Sequence, residues 1–165
     1  MSYQNQNYQN HNHNYNQRNG NRGYGNREPS KVFKDILAEI TKQELSKIDL
    51  KKMIGHDGLV SKFANETKMK ANQIRKIFNE VRKIQRKLDS TDVNLDKIKD
   101  DLTLLYPKIS YAKNRKAGGH PLIPDEFAQF LFALLDKVLK ENSKTGFKKF
   151  VNIMEAFVGF AKKDN

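Results

Sequence analysis

From Pro29 onward the apolar residues recur every three or four positions, and nowhere do they alternate as they would along a half-buried strand. That periodicity restricts the chain to an all-α fold in which each helix buries one stripe against its neighbours. Val32, Phe33, Ile36, Leu37 and Ile40 define a first helix, for which Pro29-Ser30 supply a start. A weaker segment with Leu45, Ile48 and Met53 runs to Gly55, and Asp57-Gly58 opens a short helix carrying Leu59, Val60, Phe63 and Ala64. The clearest pattern spans about residues 71 to 89, with Ile74, Ile77, Phe78, Val81, Ile84 and Leu88 on one face, and Asp89-Ser90-Thr91-Asp92 ends it.

Leu95, Ile98, Leu102, Leu105, Ile109 and Ala112 then hold a helical register through Pro107, which predicts a kinked helix rather than a stop there. Gly118-Gly119-His120-Pro121 reads as a loop. Pro124, Asp125 and Glu126 open a very apolar helix carrying Phe127, Phe130, Leu131, Leu134, Leu135, Val138 and Leu139. Ser143 is placed to cap a last helix whose stripe is Phe147, Phe150, Val151, Met154, Phe157, Val158 and Ala161. The expectation is a single compact bundle of five to seven helices over residues 29–165, with no internal repeat.

Residues 1–28 are of another kind. Nine Asn, four Gln and four Tyr fill 17 of these 28 positions, so no core can form there and a disordered Asn/Gln-rich tail is expected. Its Arg18, Arg22 and Arg27, with Tyr24 nearby, suit stacking on or pairing with RNA, although an inert solubilising leader has the same composition. The chain has 31 Lys+Arg against 19 Asp+Glu; without the tail's three Arg and Glu28 there remain 28 and 18, so +10 of the +12 belongs to the helical body. A balance this basic points to a polyanionic partner, nucleic acid before an anionic membrane.

Cysteine is absent, which excludes disulfides, Cys-based zinc sites and thiol nucleophiles. The N-terminus lacks an apolar leader and no apolar run reaches the roughly 18 residues of a membrane span, so a soluble cytoplasmic protein is expected.

The charge is concentrated in two places. Between Lys68 and Asp89 stand eight basic and two acidic residues, too few acids for intrahelical pairing to absorb the charge. On a helical wheel Arg75, Asn79, Arg82 and Arg86 share a stripe beside the apolar face, with Lys76, Lys83 and Lys87 beyond them. Arg75 to Arg86 spans roughly 16 Å of helix axis, enough to meet successive phosphates. The second patch runs from Tyr106 to Lys116 within a stretch, Leu102 to Pro124, that holds no acid. Its basic residues interleaved with tyrosines fit backbone and base or ribose contact, and Lys108, Lys113, Arg115 and Lys116 are its candidates. Tyr106 reads as a core tyrosine with an outward hydroxyl; Tyr111 fits either role.

Catalysis has little to work with. A metal-independent ribonuclease needs paired acid and base groups, and outside the tail there are only His56 and His120, each in a loop without an evident partner. His11 and His13 form an HxH pair in the tail that nothing nearby completes into a metal site. Glu155 is expected to hold an ion pair at the edge of the last stripe. No cofactor, metal or small-molecule substrate is implied, and Gly118-Gly119 lacks the flanking pattern of a phosphate loop. A competing reading takes Gly58 to Phe63, the turn Asn65 to Lys70 and the helix from Ala71 as a helix-turn-helix, in which Asn72, Gln73 and Arg75 would address base edges in DNA.

Three segments in order are Asn72-Gln73-Ile74-Arg75-Lys76, Leu104 to Ala112 with Pro107 followed by Arg115, and Phe147 to Phe160 with Glu155-Ala156-Phe157-Val158. Together they resemble the small subunit of the type III-A CRISPR (Csm) effector complex, over about residues 57 to 162. The resemblance implies a small helical bundle present in several copies, lining the channel that holds CRISPR RNA and target RNA without cutting either. Its partners would be those RNAs, other subunits of the complex and further copies of itself. By the same resemblance Arg75, Lys76, Lys108 and Arg115 would touch guide or target backbone through its A-form geometry. Lys70 stands where the family pattern has a helix-capping hydroxyl.

Overall fold

The computed structural model describes residues 28–90 and 95–161. The Asn/Gln-rich tail expected over residues 1–28, with His11 and His13, therefore lies outside the described residues except for Glu28, as does the Thr91-Asp92 break. Among the described residues there are eight α-helices, six of them of nine residues or more, so the all-α bundle expected from periodicity is what the chain forms.

Helix α1 (Lys31–Thr41) starts where the Ser30 hydroxyl accepts from the Phe33 N–H at 3.1 Å. A 3₁₀ turn (Leu45–Lys47) leads to α2 (Leu50–Ile54), capped by Asp49, whose carboxylate accepts from the Lys51 N–H at 2.9 Å. Helix α3 (Leu59–Thr67) ends on Lys68 at φ 51°, a left-handed turn taken here by a residue other than glycine. Helix α4 (Ala71–Asp89) follows after only Met69 and Lys70. Lys70 has no acceptor with which to cap it, and only the reciprocal half of a capping box forms, the Gln73 side-chain oxygen accepting from the Lys70 N–H at 3.3 Å.

Pro107 behaves differently from expectation. The chain forms a 3₁₀ turn (Leu95–Ile98), α5 (Lys99–Thr103) and α6 (Leu105–Asn114), with a one-residue break at Leu104. A proline ring clashes with the carbonyl four residues back, which here is Thr103, and the first helix stops there. Leu104 keeps right-handed helical dihedrals (φ −66°, ψ −11°), so the apolar register crosses the break: Leu95, Ile98, Leu102, Leu105 and Ile109 are all buried and Ala112 half-buried. The glycine pair also does more than loop. Gly118 (φ 59°) and Gly119 (φ 84°) occupy the two left-handed positions of a tight hairpin turn between β1 (Lys116–Ala117) and β2 (His120–Pro121).

Helix α7 (Asp125–Glu141) and helix α8 (Lys144–Phe160) close the bundle, the latter capped by Ser143 accepting from the Gly146 N–H at 2.9 Å. Helix α8 is the central strut, packing against α2, α3, α4 and α7, while α1 lies across α3 and α7. Where they meet, Phe157 of α8 lies 4.7 Å from Phe127, 5.7 Å from Phe130 and 5.6 Å from Phe63, and Phe63 stacks on Phe33 at 5.5 Å. Five rings from four helices fix how the elements cross. Glu39 is the one buried carboxylate among the described residues, and the Lys42 and Lys52 ammonium groups at 2.7 and 2.6 Å hold it below the usual carboxylate range.

Candidate nucleic-acid interface

Helix α4 positions most of the candidate residues. Ala71, Ile74, Ile77, Val81, Ile84 and Leu88 are buried, and the helix lies against α8 on that side. At about 3.6 residues per turn the outward surface then divides into two flanks.

On the first flank stand Arg75, Asn79, Arg82 and Arg86. Arg75, Asn79 and Arg86 are exposed, and none of the three arginines has an acidic partner among the described residues. Arg82 is half-buried: its guanidinium lies 5.7 Å from the Phe78 ring and donates to Gln85 Oε1 at 2.8 Å. It thereby covers the outer face of Phe78, a half-buried ring at the edge of the apolar stripe, and its charge has no acidic partner among the described residues.

The second flank carries Lys76, Lys83 and Lys87. Lys76 is exposed with no ion pair among the described residues. Lys83 reaches Glu80 at 2.6 Å and Lys87 reaches Asp101 of α5 at 2.6 Å. Lys108 of α6 also bonds Glu80, so one carboxylate ties α6 to α4 and holds two lysines. The Lys108 ammonium first, and Lys83 second, keep the Glu80 carboxyl below the usual range.

The patch on α6 is likewise divided. Lys113 pairs with Asp125 at the start of α7, lowering that carboxyl, whereas Arg115 and Lys116 are exposed without an ion pair among the described residues. Arg115 donates to the Tyr111 hydroxyl at 2.9 Å and lies 5.6 Å from its ring. Tyr111 is 60 % exposed and so is not a core tyrosine. Tyr106 is: it stacks on Phe132 at 5.7 Å and its hydroxyl donates to Asp136, and burial first, then that bond, raise its pKa.

The remaining candidates are scattered. His56 is exposed in the α2–α3 turn and His120 in the hairpin. Glu155 is exposed and makes no ion pair among the described residues, where the expected edge pair is therefore not formed. Among the described residues no group of three or more His, Asp or Glu is placed to hold a metal, and no helix is long and apolar enough to cross a membrane. Of the three residues proposed to read DNA bases, Gln73 is engaged in the α4 cap.

Sequence reasoning missed Glu80 as the hub of the second flank and Leu104 as a protruding apolar residue, 57 % exposed. The i, i+3 relation of Glu80 to Lys83 was a usable signal; the bond to Lys108, across 28 positions, had none.

No curated protein and no solved structure matches the chain. A family model described as Csm2, type III-A, matches residues 47–165. That match takes in every helix from α2 to α8, both flanks of α4 and the α6 patch, and extends beyond the three segments that first suggested the resemblance. Covering well over half of the sequence, it shows that the chain belongs to the Csm2 type III-A family, the small subunits of the type III-A CRISPR (Csm) effector complex.

Proposed function

We propose that the protein is a non-catalytic RNA-binding subunit of that complex, and that the arginine flank of α4 contacts the phosphate backbone of CRISPR RNA and target RNA. The observation that carries this reading is the line of Arg75, Arg82 and Arg86, three guanidinium groups on one rigid helix with no acid among the described residues to compensate them. Together they span roughly 16 Å of the helix axis, a length that suits contacts to successive phosphates, made by shape rather than by sequence. Lys76 beside them, and Arg115 and Lys116 at the end of α6, add charge of the same kind. Lys83, Lys108 and Lys113 enter with their charge already shared with Glu80 and Asp125. Residues 29–165 act as one RNA-binding domain in the cytoplasm, assembled with other subunits and further copies of the chain.

A salt titration of RNA binding tests this. Each lost phosphate contact removes about 0.7 to 0.9 from the log-log slope, so the Arg75→Ala/Arg82→Ala/Arg86→Ala variant is expected to bind with a slope flatter by about two to three. Identical slopes would remove this flank as the binding surface. Purified protein is expected to leave RNA intact; cleavage that disappears on substituting His56 or His120 would overturn the non-catalytic reading.

A further inference from the structure

Tyr111 lies on α6 one turn before Arg115, and every other Phe and Tyr among the described residues is buried or half-buried. An exposed ring by itself says little, but this one is held in place. The Arg115 guanidinium donates to its hydroxyl at 2.9 Å and lies 5.6 Å from the ring centroid. Arg115 is fixed in turn on both sides of its backbone. Its N–H donates to the Tyr111 carbonyl at 2.8 Å, closing α6, and its carbonyl accepts from the Leu122 N–H at 3.0 Å, where the hairpin returns. Even with the guanidinium alongside, Tyr111 keeps 60 % of its surface open. Asn114 to His120 are exposed without interruption, so the hairpin stands out from the bundle at that end of α6.

Charge says what kind of partner this surface suits. The stretch from Leu102 to Pro124 holds no acid, and its two ion-paired lysines, Lys108 and Lys113, reach carboxylates on α4 and α7 instead. Arg115 and Lys116 have no ion pair among the described residues. An aromatic ring beside uncompensated cations is the arrangement that holds a single-stranded nucleic acid, because a base stacks on the ring while the cations meet its phosphates. A paired duplex cannot use the ring. Its bases are stacked on one another, and the major groove of A-form RNA is too deep and narrow for a side chain to read. We infer that Tyr111 is a stacking platform for an unpaired RNA nucleotide, with Arg115 holding the ring and Lys116 meeting an adjacent phosphate. The arginine flank of α4 takes backbone charge, whereas this site takes a base. The inference rests on the reading of the chain as an RNA-binding effector subunit and adds to it the state of the nucleotide bound.

The test measures binding of the full chain to polyuridine, whose bases are unpaired, and to a blunt RNA duplex, for wild type, Tyr111→Ala and Tyr111→Phe. Because Tyr111 is exposed, the unfolding midpoint should not move, and that midpoint is the check that the variants fold. Wild type is expected to bind both probes. Tyr111→Ala is expected to lose about tenfold in affinity for polyuridine and to hold duplex affinity within about twofold. Its salt slope should not change, since a stacked base releases no counterion. Tyr111→Phe keeps a ring and should stay within about twofold of wild type on both probes. Unchanged polyuridine affinity of Tyr111→Ala would overturn the inference, as would failure of the wild type to bind polyuridine. An equal loss on duplex and single strand would overturn it by making Tyr111 a support for backbone contact. A loss with Tyr111→Phe as large as with Tyr111→Ala would move the contact from the ring to the hydroxyl. Altered self-association of the RNA-free Tyr111→Ala chain, or poor incorporation into reconstituted effector complex with polyuridine affinity intact, would make the ring a protein contact. Failure of the arginine-flank reading would show instead in the salt slope of the Arg75→Ala/Arg82→Ala/Arg86→Ala variant, in which Tyr111 is untouched.

Discussion

On one flank of α4, Arg75, Arg82 and Arg86 keep their charge; on the other, Lys83 and Lys87 share theirs with Glu80 and Asp101. Both flanks stand on the same helix and look alike in a charge count. The difference comes from what lies next to them. The lysine flank faces α5 and α6, which bring Asp101 within reach and send Lys108 to Glu80, whereas the arginine flank meets Phe78 and Gln85 and, among the described residues, no acid. Residue type adds to this. A half-buried guanidinium can lie over a ring and remain charged at its rim, while an ammonium on a flexible stem readily folds back onto a nearby carboxylate. A basic run therefore becomes a binding surface only where the tertiary neighbours leave it uncompensated.

The largest expected effect removes the distinction by loosening the platform beneath both flanks. Phe157 of α8 touches rings from α3 and α7, and α8 is what α4 packs against. Phe157→Ala is expected to cost about 3–5 kcal/mol in urea unfolding, from lost burial plus the cavity left behind. RNA binding and assembly into the complex should then weaken together. A cost near 1 kcal/mol would mean that the aromatic cluster does not fix the helix crossings.

A smaller change should make one flank resemble the other. Glu80→Gln keeps the side chain's size and removes the charge that holds Lys83 and Lys108. The two ammonium groups become available to phosphate, so the salt slope of RNA binding should steepen by about 0.7 to 0.9 for each new contact. An unchanged slope would show that the lysine flank faces away from RNA altogether.

The helices were legible because long amphipathic periods decide burial with little help from the rest of the chain. Ala71–Asp89 appears where the apolar repeat puts it, and Ser30 and Ser143 cap the helices they precede. What periodicity could not register was the stop at Thr103, since Leu104 stays helical in its dihedrals and carries the register across the break. The hairpin was hidden for a different reason: strands of two residues are too short to alternate, and only the paired glycines signal the turn. For the candidate site, composition located both basic patches but not their division. Which lysines are compensated depends on Glu80 meeting Lys108 and on Lys113 meeting Asp125 at the start of α7, contacts made by the tertiary fold.

The smallest predicted effect distinguishes the flanks by pH. Glu80 is held below its ordinary value of 4.5 by Lys108 and Lys83, so its contribution to stability is complete above that value and is lost as the pH falls through the lowered one. Between pH 7 and pH 5 the stability gap between wild type and Glu80→Gln should stay constant, and it should close as the pH drops below about 4.5. The lysines are more than half exposed, so the gap should not exceed about 1 kcal/mol. Glu39 titrates in the same direction but is common to both proteins and cancels in the difference. The arginine flank has no titrating partner among the described residues, so the triple alanine variant should run parallel to wild type over the whole range. Urea unfolding across a pH series measures all three curves. A Glu80→Gln gap as wide at pH 3 as at pH 7 would place the cost of that substitution in packing, and the lysine flank would then lack the ionic lock that sets it apart.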